Sequence, residues 1–409
     1  LIPLFSTGAS LIRYPQIPVK FDKVKAIQRR HPWVFSRAFG KGSHATAGSI
    51  VDLVDPDGLF LARGYYNPHS QIAVRLLTWN EQEIIDQNFW RKRIVRDLAV
   101  RQELGRDGQS NAWRLLNSEG DGVPGLIVDQ YADVVVLQST TLGMDQMVPM
   151  IVPLLQELTG CKTIIERSND NHRKHEGVEP TERHLAGAEL PDAALPFMEN
   201  GNKFVVDLRL GHKSGYYLDQ KDNRRAVAEL CHGKKVLDCF TYSGSFSVHA
   251  LARGAEHATL VDSSAPALEM ARQNLARNEF SESRFDMVRA NGFEFMREQA
   301  AKGALYDVVI LDPPKLVKSM GEVQKGARAY QDLNRQAMKC LKPGGYLATF
   351  SCSGHMSLDL FQKVIFSASV EANCELQMQR ILLQSRDHSI HFSVPETLYL
   401  KGFICRKLG

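Results

Sequence analysis

From residue 235 onward, short apolar runs alternate with helix-like stretches, and no other feature limits the fold of this chain so strongly. Residues 235–240, 258–262, 284–290, 306–311 and 345–350 read as buried strands. Helical stretches follow them at 245–253, 265–278, 292–301, 322–341 and 358–372. In the second helix Ser264 is the expected N-cap and Pro266 sits in the first turn, with Leu268, Ala271 and Leu275 on one face. Such alternation builds a parallel sheet covered on both faces. Right-handed crossovers put its first and fourth strands together at the switch point where ligands bind. Two closing runs, 376–383 and 398–405, lack a helix between them and predict a terminal antiparallel hairpin.

The sequence before this has another texture. Residues 20–79 carry short alternating runs separated by Asp55-Pro-Asp-Gly58 and Asn67-Pro68, the pattern of a small β-barrel or sandwich. Residues 113–187 predict a small α+β unit, with a helix over 146–158. Residues 82–104 predict a basic helical connector, and the polar stretch 168–191 a linker. The expected division is a segment 1–18, a barrel 19–92, a central domain 93–187 and an α/β domain 188–409.

Composition excludes several classes. The chain is 44% hydrophobic and 23% charged, as in ordinary soluble proteins. Its seven cysteines are scattered, without C-x-x-C or a zinc-type His cluster, so no metal and a reducing, cytoplasmic setting are expected. No apolar run is long enough to span a membrane, and residues 1–10 lack the regions of a signal peptide. A net charge of +4 is too small to argue nucleic-acid binding. Its distribution says more: residues 20–41 carry seven Lys/Arg against one Asp, and 91–106 six against two.

The candidate chemistry lies at the strand ends. Asp238-Cys-Phe-Thr-Tyr-Ser-Gly244 has one glycine where a dinucleotide turn wants three, which argues against a dehydrogenase. A nucleoside cofactor with an amino-acid tail and no phosphate needs fewer close backbone amides. Asp262 could hold ribose hydroxyls, and Asn291-Gly292 could reach an adenine edge, a pattern that suits S-adenosylmethionine. The fourth strand ends in Asp312-Pro-Pro-Lys315, a turn that neither strand nor helix can continue through. The fifth ends in Ser351-Cys352-Ser353-Gly354. Neighbouring strands lie about 4.8 Å apart, so Asp312 and Cys352 could touch one small planar ring. A Cys352 thiolate could attack C6 of a pyrimidine while Asp312 assists protonation at N3, leaving C5 nucleophilic. Lys315 and His355 are the candidate positive groups beside the thiol.

At these residues the sequence resembles the RlmI-type 23S rRNA 5-methylcytosine methyltransferases. The matching stretches are His31-Pro-Trp-Val-Phe35, Leu61-Ala-Arg-Gly64, Ser118-Glu-Gly-Asp-Gly122, Gly211-His-Lys-Ser-Gly-Tyr-Tyr-Leu-Asp-Gln220 and Leu398-Tyr-Leu-Lys-Gly-Phe403, with the three strand-end turns above. The resemblance covers the chain from about residue 19 onward. It implies a PUA domain, a central α+β domain and a Rossmann-like class I methyltransferase domain whose mostly parallel seven-stranded sheet ends in an antiparallel hairpin. It implies S-adenosylmethionine as cofactor, 23S ribosomal RNA as partner and Cys352 as nucleophile. It places Lys213, Tyr216 and Gln220 over the cofactor, beside Asp238, Phe240, Tyr242, Gly244, Asp262, Asn291, Gly292 and Asp312. Many RNA 5-methylcytosine enzymes carry a second cysteine after the acid-Pro unit. Here Lys315 stands in that neighbourhood, which leaves release of the adduct open.

Arg29, Arg30, His31 and Trp33, with Arg63, are the candidate RNA contacts, because they combine charge with an aromatic ring. Two other readings stand beside this one: methylation of an exocyclic amine or ring nitrogen on RNA with Cys352 structural, and a non-catalytic RNA-binding assembly factor. The nucleotide, the state of the RNA and the oligomeric state, homodimer included, are open at this stage.

Overall fold

The computed structural model describes residues 13–40, 45–105, 108–169, 172–190, 192–209 and 215–408. The α/β domain is built on a seven-stranded sheet: β1 (Lys235–Cys239), β2 (His257–Asp262), β3 (Phe285–Arg289), β4 (Tyr306–Leu311), β5 (Leu341–Ser351), β6 (Leu376–Leu383) and β7 (Lys401–Lys407). Their order is 3-2-1-4-5-7-6, with β1 to β5 parallel and β7 running antiparallel between β5 and β6. The switch point between β1 and β4 therefore stands where right-handed crossovers place it. Val236, Leu237, Val308, Val309, Ile310 and Leu311 are all but sealed from water, because helices cover both faces.

Those helices are α1 (Ser245–Ala252), α2 (Ala265–Arg277), α3 (Gly292–Lys302), α4 (Val323–Lys339) and α5 (Leu358–Glu371). In α2 the Ser264 hydroxyl accepts from the Ala267 amide, and Leu268, Ala271 and Leu275 face the core. This is the cap and stripe that the spacing predicts.

The N-terminal sheet has five strands in the order Gln16–Pro18, Ile50–Val54, Phe60–Tyr66, Val74–Thr78, Trp33–Val34. Its first strand pairs in parallel with Ile50–Val54, so the barrel begins before residue 19. The central sheet also has five strands, and its helix starts at Leu142 behind the N-cap Thr141. The helix Gln87–Leu104 buries Phe89, Trp90, Ile94 and Leu98 in the central core; a boundary at 92/93 would cut it.

The stretch 168–191 is not a plain linker. Thr181–Gly187 pairs antiparallel with Thr163–Ser168 at the sheet edge. An edge strand open to water on both faces has no apolar stripe, which is why its sequence reads as a loop. Among the described residues no helix is long and apolar enough to cross a membrane.

The connection between β6 and β7 ties the domains together. Arg101 on the helix Gln87–Leu104 donates to the Asp387 carbonyl and to Ser389, and the Arg114 amide donates to the Asp387 carboxylate. These buried bonds set the rim of the α/β sheet against the central domain.

Candidate active site

Parallel pairing of β4 with β5 aligns Leu311 with Thr349, so Asp312 and Cys352 both follow the sheet edge, one and three residues beyond that pair. The two turns are fastened to each other. Ser353 Oγ accepts from the Val317 amide at 3.2 Å and lies 3.3 Å from the Tyr330 hydroxyl. Cys352 is half-buried; of the other free cysteines only Cys374, beyond α5, shares that exposure. The juxtaposition expected from the sequence is present.

Burial pushes the Asp312 carboxyl up to about 7, and Asp219 adds to the rise, while Gln220 and Arg224 oppose it. The Gln220 amide faces this carboxyl without closing a well-formed hydrogen bond. Asp238 also disfavours the charged form of Asp312. A carboxyl raised by neighbouring acids marks a place where a cation would be welcome.

The loop after β1 is held by Asp238. Its Oδ2 accepts from Thr241 Oγ1 and Ser247 Oγ, each at 2.7 Å, and from the Ser247 amide at 3.2 Å. Its Oδ1 is buried with no hydrogen-bond donor. Phe240, Tyr242 and Gly244 turn through positive φ, and the Tyr242 amide donates to Asp262 Oδ2 at 2.9 Å. Asp262 thus fixes the loop as well as ending β2. Asn291 Oδ1 caps α3, accepting from the Phe293 amide at 3.0 Å. Gly292 is small for a packing reason: a Cβ there would stand 2.7 Å from the Phe240 ring and 2.9 Å from Cys239 Sγ.

The cofactor implied by the fold carries a sulfonium and an ammonium. Its fit is supported by the unpartnered Asp238 oxygen and by the carboxyls of Asp219 and Asp238 acting on Asp312. A pyrophosphate would meet repulsion in the same place.

Several sequence expectations shift. Tyr216 does not face this cleft; it is buried against Phe197 and Phe204, with its hydroxyl 3.2 Å from Glu199. Its neighbour Tyr217 is the ring in the cleft, edge-on to Tyr242 at 5.2 Å, where Asp312, Asp219 and Cys352 all act on its phenol. Lys213 lies outside the described residues. Lys315 and His355 are exposed, and the cation acting beside Cys352 is instead the buried Lys401. Tyr217, Asp219 and Lys401 all sit inside motifs quoted above; only the fold shows which of adjacent side chains turns inward.

The barrel residues divide too. Arg63 is buried, and its guanidinium makes a two-point ion pair with Asp52 at 2.6 and 3.0 Å, so it braces the barrel from within. Trp33 Nε1 donates to Glu119 at 2.8 Å and His31 Nε2 lies 3.2 Å from Glu396, both contacts to other domains. Arg29 and Arg30 are exposed.

Residues 17–79 match the PUA-like domain family, and residues 168–364 match the S-adenosylmethionine-dependent methyltransferase family. The chain is 42% identical over 394 residues to ribosomal RNA large subunit methyltransferase I of Shewanella denitrificans, covering 96% of this chain and 99% of that one. The protein of the same name from Escherichia coli is 40% identical over 383 residues, covering 93% and 96%. Among solved structures, SMU.776 complexed with SAH superposes with a TM-score of 0.83 at 21% identity, covering 96% of this chain and 100% of that one. Trm5b of Pyrococcus abyssi gives 0.52 at 14% identity, covering 69% and 75%. These two likenesses concern the fold.

Proposed function

The chain belongs to the ribosomal RNA large subunit methyltransferase I family, S-adenosylmethionine-dependent enzymes, and from that premise we propose that it methylates C5 of a cytosine in 23S ribosomal RNA through a covalent bond to Cys352. The observation that carries this reading is the fastening of the Asp312 and Cys352 turns at one sheet edge, with the thiol half-buried and the carboxyl held near neutrality.

S-adenosylmethionine supplies the methyl group as an electrophile. The protein's part is to make C5 of cytosine a nucleophile. Cys352 Sγ bonds to C6 of the ring, and the C5–C6 electron pair shifts toward C5. Asp312, largely protonated below pH 7, donates toward N3 and neutralises the charge that develops on the ring. After C5 takes the methyl group, loss of the C5 proton restores the double bond and expels Cys352 as thiolate. Tyr217 and Tyr242 wall the cleft, and Asp238, Asp262, Asn291 and Gln220 line the cofactor side.

Mass spectrometry of 23S rRNA from a strain lacking the protein is expected to show one 5-methylcytosine missing, restored by the wild-type gene. Loss of an exocyclic or ring-nitrogen methylation instead would overturn the choice of atom.

A further inference from the structure

Lys401 opens β7 and pairs across the sheet with Ser351, the residue before Cys352. Its side chain is buried, with 3% of the residue exposed. Nζ donates to the carbonyls of Ser353 at 2.8 Å and Met356 at 2.6 Å, so it grips the turn that follows the cysteine from below. The group whose charge, once ionised, favours its ammonium is Cys352 itself.

Lys407, at the other end of the same strand, shows why this is unusual. It too bonds two carbonyls, those of Met338 and Leu341. Yet Lys407 keeps contact with water and lies at the C-terminal end of α4, where the helix dipole welcomes a cation. Lys401 has neither advantage. Met356 precedes Ser357, the N-cap of α5, so the nearby helix end is the positive one. A buried ammonium held only by carbonyls, beside a positive helix end, is costly without an anion. Burial draws Lys401 down to about 8 even though Cys352 acts in the opposite direction.

We propose that Lys401 is a positioning residue that keeps Cys352 as the thiolate and fixes the turn that aims it, so that the nucleophile rests as a Cys352–Lys401 ion pair. Ionisation sends the thiol proton to solvent while the ammonium stays charged. The same charge favours the leaving thiolate when the adduct breaks, a task for which Lys315, not a cysteine, follows the Asp312-Pro-Pro unit. Among the titratable groups facing the thiol are Tyr330 from α4 and Tyr217, both kept neutral by burial, and Asp312 acts on the same Tyr217 phenol. The proposal rests on the covalent reading above, and the two fail differently.

The test is the pH dependence of alkylation by iodoacetamide, followed peptide by peptide by mass spectrometry on the full chain without RNA. In the wild type the midpoint for Cys352 is expected to lie at least about one pH unit below the ordinary thiol value near 8.5. Lys401→Met is expected to raise it by about one unit and slow alkylation at pH 7 about ten-fold, and Lys401→Arg to restore most of the loss. Cys374 serves as the internal control and should not move. A purely structural Lys401 would lower the melting temperature and leave the Cys352 midpoint in place, which overturns the proposal. If Lys401→Met does not fold, thiolate absorbance at 240 nm decides on the wild type. A step below pH 8 that Cys352→Ser lacks supports the pair, and a step at 8.5 or above refutes it. A low midpoint together with full turnover by Cys352→Ala would keep the ion pair and sink the covalent mechanism.

Discussion

Two regions of this molecule gather charged and aromatic side chains, and they treat charge in opposite ways. In the barrel and its contacts each buried charge has a counterpart: Arg63 meets Asp52, and Arg75 meets Glu176 at 2.9 Å. At the rim of the α/β sheet Asp312 has carboxyls acting on it, Asp238 keeps an oxygen without a donor, and Lys401 is buried with no carboxylate bond among the described residues. Charges paired within the protein hold domains together. Buried charges left short of a partner are costly in the folded state and mark where a ligand completes the balance.

The largest effect is expected from Cys352→Ala. Turnover on rRNA should drop by at least about a thousand-fold, with S-adenosylmethionine affinity unchanged by calorimetry; substantial residual turnover would make the rim cysteine structural. Next comes Arg63→Ala, which strands Asp52 inside the barrel. It should cost about 3 kcal/mol in urea unfolding, and a variant that keeps its stability but loses RNA affinity would return Arg63 to the RNA face.

A third test uses the rim's own penalty. The folded pKa of Asp312, about 7, lies above the unfolded value near 3.9. The native state thus holds a proton that the unfolded chain has released, and stability falls as pH rises from about 4 to 7. Asp312→Asn should therefore be more stable than wild type at pH 8, by up to about 4 kcal/mol, with the difference fading toward pH 4. A difference that does not change with pH would show that Asp312 is not strained. The smallest effect is expected on the barrel surface. Arg29→Ala with Arg30→Ala should weaken RNA binding a few-fold at low salt and lower the salt slope by about two contacts, leaving kcat unchanged.

The same contrast explains what was legible in the sequence. The positions of Asp238, Asp262, Asn291, Asp312 and Cys352 follow from strand ends, and parallel topology brings strand ends together whatever the side chains do. Direction within a motif is another matter. Tyr216 and Tyr217 are adjacent in an irregular turn, and no periodicity says which faces Phe204 and which faces Asp312. Lys401 belongs to a run that reads as an ordinary closing strand, and its inward aim depends on β7 inserting between β5 and β6. The ion pair of Arg63 and the hydrogen bond of Trp33 were not legible, because their partners Asp52 and Glu119 are fixed by tertiary contact alone.

The covalent bond at Cys352 can be seen directly. RNA carrying 5-fluorocytidine at the target position has no C5 proton to lose, so the adduct formed after methyl transfer cannot resolve. Incubated with S-adenosylmethionine and this RNA, the wild-type protein should form a denaturant-stable complex. Its proteolytic peptide should carry the methylated fluoropyrimidine on Cys352. Steady methylation of unmodified RNA with no trapped complex, or a complex formed equally well by Cys352→Ala, would contradict the account.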